Sequence, residues 1–130
     1  MNLPPILPFA MSPEAIRVDF VHHAAYLEAV VSGFKSPAGV AEVIVRIGQA
    51  LRKAQLDRVL IDVRRVAGQM STSDHAGVGA ALARSLGRAK CAVVARADRP
   101  RGEIAPSAQA GGVDYCAFDD TPEAVQWLTQ

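Results

Sequence analysis

The sequence predicts a single α/β domain whose sheet is mixed but mostly parallel, with four to five strands, an N-terminal antiparallel hairpin and flanking helices. Three observations carry this. Two short apolar runs rich in β-branched residues, RVLIDVR at 58–64 and KCAVVAR at 90–96, have the pattern of strands covered on both faces. Amphipathic segments of helical period flank them, and a crossover helix between buried strands makes those strands parallel, with right-handed connections. Ahead of both runs, two alternating segments lie too close together for a crossover, so they pair antiparallel.

Taken in order, residues 1–13 carry Pro4, Pro5, Pro8 and Pro13. Proline fixes φ and withholds a donor, so an extended, irregular arm is expected there. Leu3, Ile6, Leu7 and Phe9 would let it lie along a surface, and the α/β domain is expected to occupy residues 14–130. Ile16, Val18 and Phe20 alternate with Arg17 and Asp19, the period of a half-buried strand. His22 and His23 mark a turn, and AYLEAVVSG forms the second strand. Ser36 is an N-cap with Pro37 at the first helical position. Val40, Val43, Ile44, Ile47 and Leu51 then recur at helical spacing, with Arg52 and Lys53 near the C-terminus.

The first buried strand is expected over 59–63, running into Arg64 and Arg65. Ser73 is expected to cap a helix from about Asp74 that carries Val78, Leu82 and Leu86 and stops at Gly87. The second buried strand ends at Arg96, and ADRPRGE forms a polar loop. IAPSAQAGG is a short helical or turn segment, VDYCAF a last strand, and Thr121 with Pro122 opens a final helix carrying Ala124, Val125 and Leu128.

Composition narrows the function classes. The chain has 130 residues, half of them hydrophobic, which suits one globular domain with its own core. A formal net charge of +1 gives no overall steering toward nucleic acid or acidic membranes, and 5% aromatics supply no base-stacking platform. Cys91 and Cys116 sit in separate apolar runs without metal-ligand spacing, so buried reduced thiols and a cytoplasmic location are expected, with no cofactor or metal. No apolar stretch approaches the roughly 20 residues needed to span a bilayer.

The candidate site is a rim. Ligands of open α/β sheets bind beyond the carboxyl ends of the strands. Arg64, Arg65 and Arg96 stand at two such ends, with Arg99 and Arg101 in the following loop. The helix start near Ser71, Thr72 and Ser73 would add free N–H groups to that rim. Guanidinium forks beside a helix start favour a phosphate, a carboxylate or a phosphorylated side chain, so a protein partner or small anionic ligand is expected at Arg64, Arg65, Ser71, Thr72, Ser73 and Arg96. The competing reading makes these arginines solvated ends balancing Asp62, Asp98 and Glu103, and the hydroxyls simple caps. Catalysis has little support. Ser73, Asp74 and His75 are consecutive and cannot form a relay among themselves, and no nucleophile elbow, HExxH pair or Walker loop occurs. An enzyme using Asp62 or His75 would need both in one cleft. Asp62, inside an apolar run, is expected to meet a backbone amide or an arginine. The small residues Ala76, Gly77, Gly79, Ala80 and Ala81 suit close packing against the sheet or a second copy, so a homodimer is one expectation.

The runs RVLIDVRRVAGQMSTSDHAG, AKCAVVAR, GGVDYCAF and TPEAVQWL, in this order, resemble the bacterial SpoIIAA-like group, which is related to STAS domains (anti-sigma-factor antagonists) and to the CRAL-TRIO fold. The resemblance runs from about Ile16 to the end. Its most specific pieces are the Leu-Ile-Asp strand followed by Arg64 and Gly68, and Ala124, Trp127 and Leu128 near the C-terminus. It implies a non-enzymatic α/β domain, protein-partner binding with, as in some STAS relatives, switching by a phosphorylated serine at the second helix start, and, through CRAL-TRIO relatives, an alternative role as carrier of a lipid or other hydrophobic molecule. The acidic residue that precedes the switch serine in STAS relatives is absent here, Met70 standing before Ser71.

Overall fold

The computed structural model describes residues 16–99 and 103–130, so the expected arm at 1–13 and Arg101 lie outside the described residues. Strand β1 (Arg17–His22) turns back into β2 (Leu27–Phe34), the His23 amide donating to the Tyr26 carbonyl at 3.1 Å. So short a connection permits only antiparallel pairing, Arg17 opposite Ser32 through His22 opposite Leu27. Helix α1 (Pro37–Ala54) starts as its sequence dictates, with Ser36 accepting from the Gly39 amide and Pro37 at the first position. Gln55, at φ 58°, closes it in the left-handed conformation.

Strand β3 (Arg58–Ala67), helix α2 (Thr72–Leu86), strand β4 (Lys90–Val94), helix α3 (Ala105–Ala110), strand β5 (Asp114–Phe118) and helix α4 (Thr121–Leu128) complete the chain. The sheet order is β1-β2-β3-β4-β5, and every pair after the hairpin is parallel. The expected mixed α/β architecture is therefore present, with five strands.

Alternation along the strands divides the core in two. Helices α1, α2 and α3 cover one face, burying Leu27, Val31, Ile47, Val59, Cys91 and Leu82 among others. The other face is covered by α4 over β3, β4 and β5, where Leu60, Ala92 and Val94 meet Ala124 and Leu128. The helices of the first face approach closely. A Cβ on Gly79 of α2 would meet the Ile104 carbonyl oxygen at 2.5 Å, so part of the small-residue stripe serves α2–α3 packing within one chain.

Three local differences from the sequence reading have simple causes. Strand β3 does not stop before its arginines but continues to Ala67, because β2 is long enough to pair with it through Phe34 opposite Ala67. Ser71, not Ser73, caps α2, its Oγ accepting from the Asp74 amide at 3.0 Å. Asp120 rather than Thr121 caps α4, since its carboxylate reaches the Glu123 amide at 3.0 Å.

Candidate functional site

Among the described residues, the larger core does not close completely. A cavity of about 390 Å³ remains between the sheet and helices α1 and α2. Val31, Ile61, Val63 and Val93 form its sheet wall, and Val40, Val43 and Ile47 its α1 wall. Helix α2 contributes His75, Val78 and Leu82, one stripe at helical spacing. Every residue between those three except Val78 itself is Ala or Gly, so α2 has little volume with which to fill the interior.

The mouth is polar, in contrast to the walls. Lys35, just beyond β2, donates from Nζ to Nε2 of His75 at 3.3 Å. An ammonium has no acceptor capacity, so Nε2 accepts in this pair, leaving Nδ1 for other contacts. That Nδ1 is buried 2.6 Å from Oε1 of Glu103, out of line for a hydrogen bond. The other Glu103 oxygen accepts from the Thr72 hydroxyl at 3.3 Å. Arg99 donates to the Gly68 carbonyl at 3.0 Å, tying the loop after β4 to the end of β3. Gly68 is needed there: its φ is +98°, and a Cβ would meet the Phe34 ring at 2.9 Å. Burial, reinforced by the nearby Arg99 charge, lowers the Lys35 pKa, while Glu103 works the other way.

The sequence-predicted rim is divided by the sheet. Between Val30 opposite Asp62 and Ser32 opposite Arg65, β3 holds one residue more than β2, which is a bulge at Val63 and Arg64. Val63 lines the cavity, while Arg64 turns back onto Asp62 and Arg65 stands opposite Ser32, so the two consecutive arginines share the face turned away from the cavity. Asp62 accepts from the Arg64 amide at 3.0 Å and from both arms of its guanidinium at 3.0 and 2.8 Å. This is the amide-and-arginine partnership expected of a carboxylate in an apolar strand. Burial alone would raise the Asp62 pKa, but the hydrogen bonds and charge of Arg64, with Arg65 assisting, bring it below the ordinary value.

Ser71, Thr72 and Ser73 are exposed on the cavity side at the start of α2, and the Ser71 and Ser73 hydroxyls lie 3.1 Å apart. Arg96 lies exposed in the loop after β4, 3.4 Å from Asp98. The structure thus joins the hydroxyl group to Lys35, His75, Arg99 and Glu103 and leaves Arg64 and Arg65 on the far face. Asp62 and His75 lie on opposite sides of the sheet, so no cleft contains both. Lys35 was not singled out by the sequence reading, while Arg99 was named only as a loop arginine beside the rim and Glu103 only as a balancing charge. His75 offered the one available signal, since it precedes Val78 and Leu82 on the same helical stripe. Cys91 is buried and its thiol is pushed up to about 12 by burial, and Cys116 is also free. Among the described residues there is no group of three or more metal-ligating side chains, and no helix is long and apolar enough to cross a membrane.

No family model and no curated protein matches the sequence. Among solved structures, an anti-sigma factor antagonist from Mycobacterium paratuberculosis superposes with a TM-score of 0.59 at 18% identity, covering 92% of this chain and 98% of that one. A DUF3478-family protein with a SpoIIAA-like fold from Shewanella loihica PV-4 gives a TM-score of 0.48 at 17% identity, covering 88% and 94%. The likeness is one of architecture: this chain shares the α/β fold of that anti-sigma factor antagonist.

Proposed function

We propose that this domain is a non-catalytic binding module that takes an apolar small molecule into the cavity between the sheet and helices α1 and α2. The observation that carries the reading is the cavity itself: about 390 Å³, walled by aliphatic side chains and polar only at its mouth. Ligand sites are typically concave, mostly apolar and provided with a few convergent polar groups, with volumes of about 300–1,000 Å³. Among the two alternatives raised by the sequence, this favours the carrier of a hydrophobic molecule over an anion held at the arginine rim. Native mass spectrometry of protein purified gently from its source tests it, beside a Val78→Phe variant that narrows the cavity. A retained apolar adduct that the variant lacks is the expected result. An adduct-free protein that also fails to take up added dodecanol would rule the reading out.

A second reading, binding of a protein partner, draws on the exposed hydroxyls at the start of α2 and on the fold likeness to an anti-sigma factor antagonist. On this reading Ser71, Thr72 and Ser73 would meet the partner beside the cavity mouth, and Arg64, Arg65 and Arg96 would hold a partner or anion elsewhere on the surface. Replacing both Arg64 and Arg65 with alanine would then weaken capture of a partner without unfolding the domain. Undiminished capture would restrict any partner surface to the α2 side.

A further inference from the structure

The mouth of the cavity carries an imbalance of charge. The titratable side chains lining it are Lys35 from the end of β2, His75 from α2, and Arg99 and Glu103 from the segment after β4. Among these, the Lys35 ammonium and the Arg99 guanidinium face the single Glu103 carboxylate. The cations are also close enough to oppose one another, Arg99 adding to the burial that disfavours a charged Lys35. Nothing among the described lining residues offsets the surplus, and Arg99 spends only one of its guanidinium donors on the Gly68 carbonyl. The remaining walls are mainly aliphatic, joined by Tyr115.

Resting on the cavity reading above, we propose that the ligand is an amphiphile with an apolar tail and a single carboxylate head, the tail among Val63, Val78 and Leu82 and the head at Lys35 and Arg99. One negative charge balances the surplus. A phosphate dianion would overshoot it beside Glu103, and a cationic head would add to the existing repulsion. A neutral head would fill the space but leave two partly buried cations uncompensated. The ion-paired head also gains charge-assisted hydrogen bonds from both donors in a sheltered setting, where they exceed neutral ones in strength.

The test compares four probes of equal tail length by calorimetric titration below their micellar concentrations: dodecanoate, dodecanol, dodecyl phosphate and dodecyltrimethylammonium. Dodecanoate is expected to bind roughly tenfold or more tightly than dodecanol, from one or two charge-assisted hydrogen bonds. Lys35→Met and Arg99→Met should erase that preference, bringing dodecanoate down to the dodecanol affinity of the same variant, with circular dichroism confirming that both variants fold. If dodecanol equals dodecanoate, the head assignment is overturned while the apolar cavity stands. Stronger binding of dodecyl phosphate or of the ammonium probe overturns the single-carboxylate head in the same way. If no probe binds, the cavity reading falls, and the head assignment with it.

Discussion

Asp62 sits 9% exposed between Leu60 and the strand's bulge, and its one strong partner is two residues away in the same strand. That locality is why its environment was legible in the sequence: a carboxylate in an apolar run can be met by the amide and guanidinium just beyond it without help from any distant element. Its folded pKa is depressed, so its contribution to stability is complete above the unfolded value of about 3.9 and is lost as pH falls through the folded value. Asp62→Asn should therefore cost about 1–3 kcal/mol at neutral pH, and the gap to the parent should narrow strongly in acid. Urea unfolding of both proteins at neutral pH and below the ordinary carboxylate range reads this directly, and a gap independent of pH would contradict it. Lys35 is the opposite kind of residue. Its partners, His75 and Arg99, come from α2 and from the loop after β4, and no sequence pattern near Lys35 announces either.

Among the elements, α4 shows how much a short helix can settle. It covers the second face of the sheet over β3, β4 and β5, and its C-terminal end is held by cations. Arg58 donates to the Leu128 carbonyl at 2.8 Å, while Lys90 donates to the Trp127 carbonyl at 2.7 Å and stands 4.5 Å from the Trp127 ring centre. Leu128 is fully buried, so Leu128→Ala should cost about 2–5 kcal/mol in chemical unfolding. A loss below 1 kcal/mol would mean that α4 is not part of the cooperative core. Helices α2 and α3 meet through Gly79, where a larger side chain would run into the Ser107 hydroxyl and, behind it, the Ile104 carbonyl and the Ala108 amide. Gly79→Leu is expected to destabilise by about 1–3 kcal/mol, measured in the same way. The apolar period of α4 and the small residues of α2 were both readable from the sequence. The bulge in β3 was not, because it exists only in the register between β2 and β3, and it alone decides that Arg64 and Arg65 share a face.

At the scale of the whole molecule, the cavity is a balance between packing and use. A cavity-filling side chain commonly stabilises a domain by about 0.5–2 kcal/mol. Val78→Phe should accordingly unfold at higher temperature than the ligand-free parent while losing uptake of dodecanol; lower stability with unchanged uptake would place the ligand elsewhere. The sequence by itself determined the element order, the hairpin followed by parallel strands, the Ser36 and Pro37 start of α1 and the buried identity of the two central strands. These follow from local periodicity and capping, which each segment carries within itself. Only the tertiary structure decided where the polar residues meet. It brought Lys35, His75, Arg99 and Glu103 to one mouth, sent Arg64 and Arg65 to the opposite face, and left the space beneath α2 unfilled. The physical reason is that these outcomes depend on strand register and on the summed volumes of side chains from separate elements, quantities that no single segment contains.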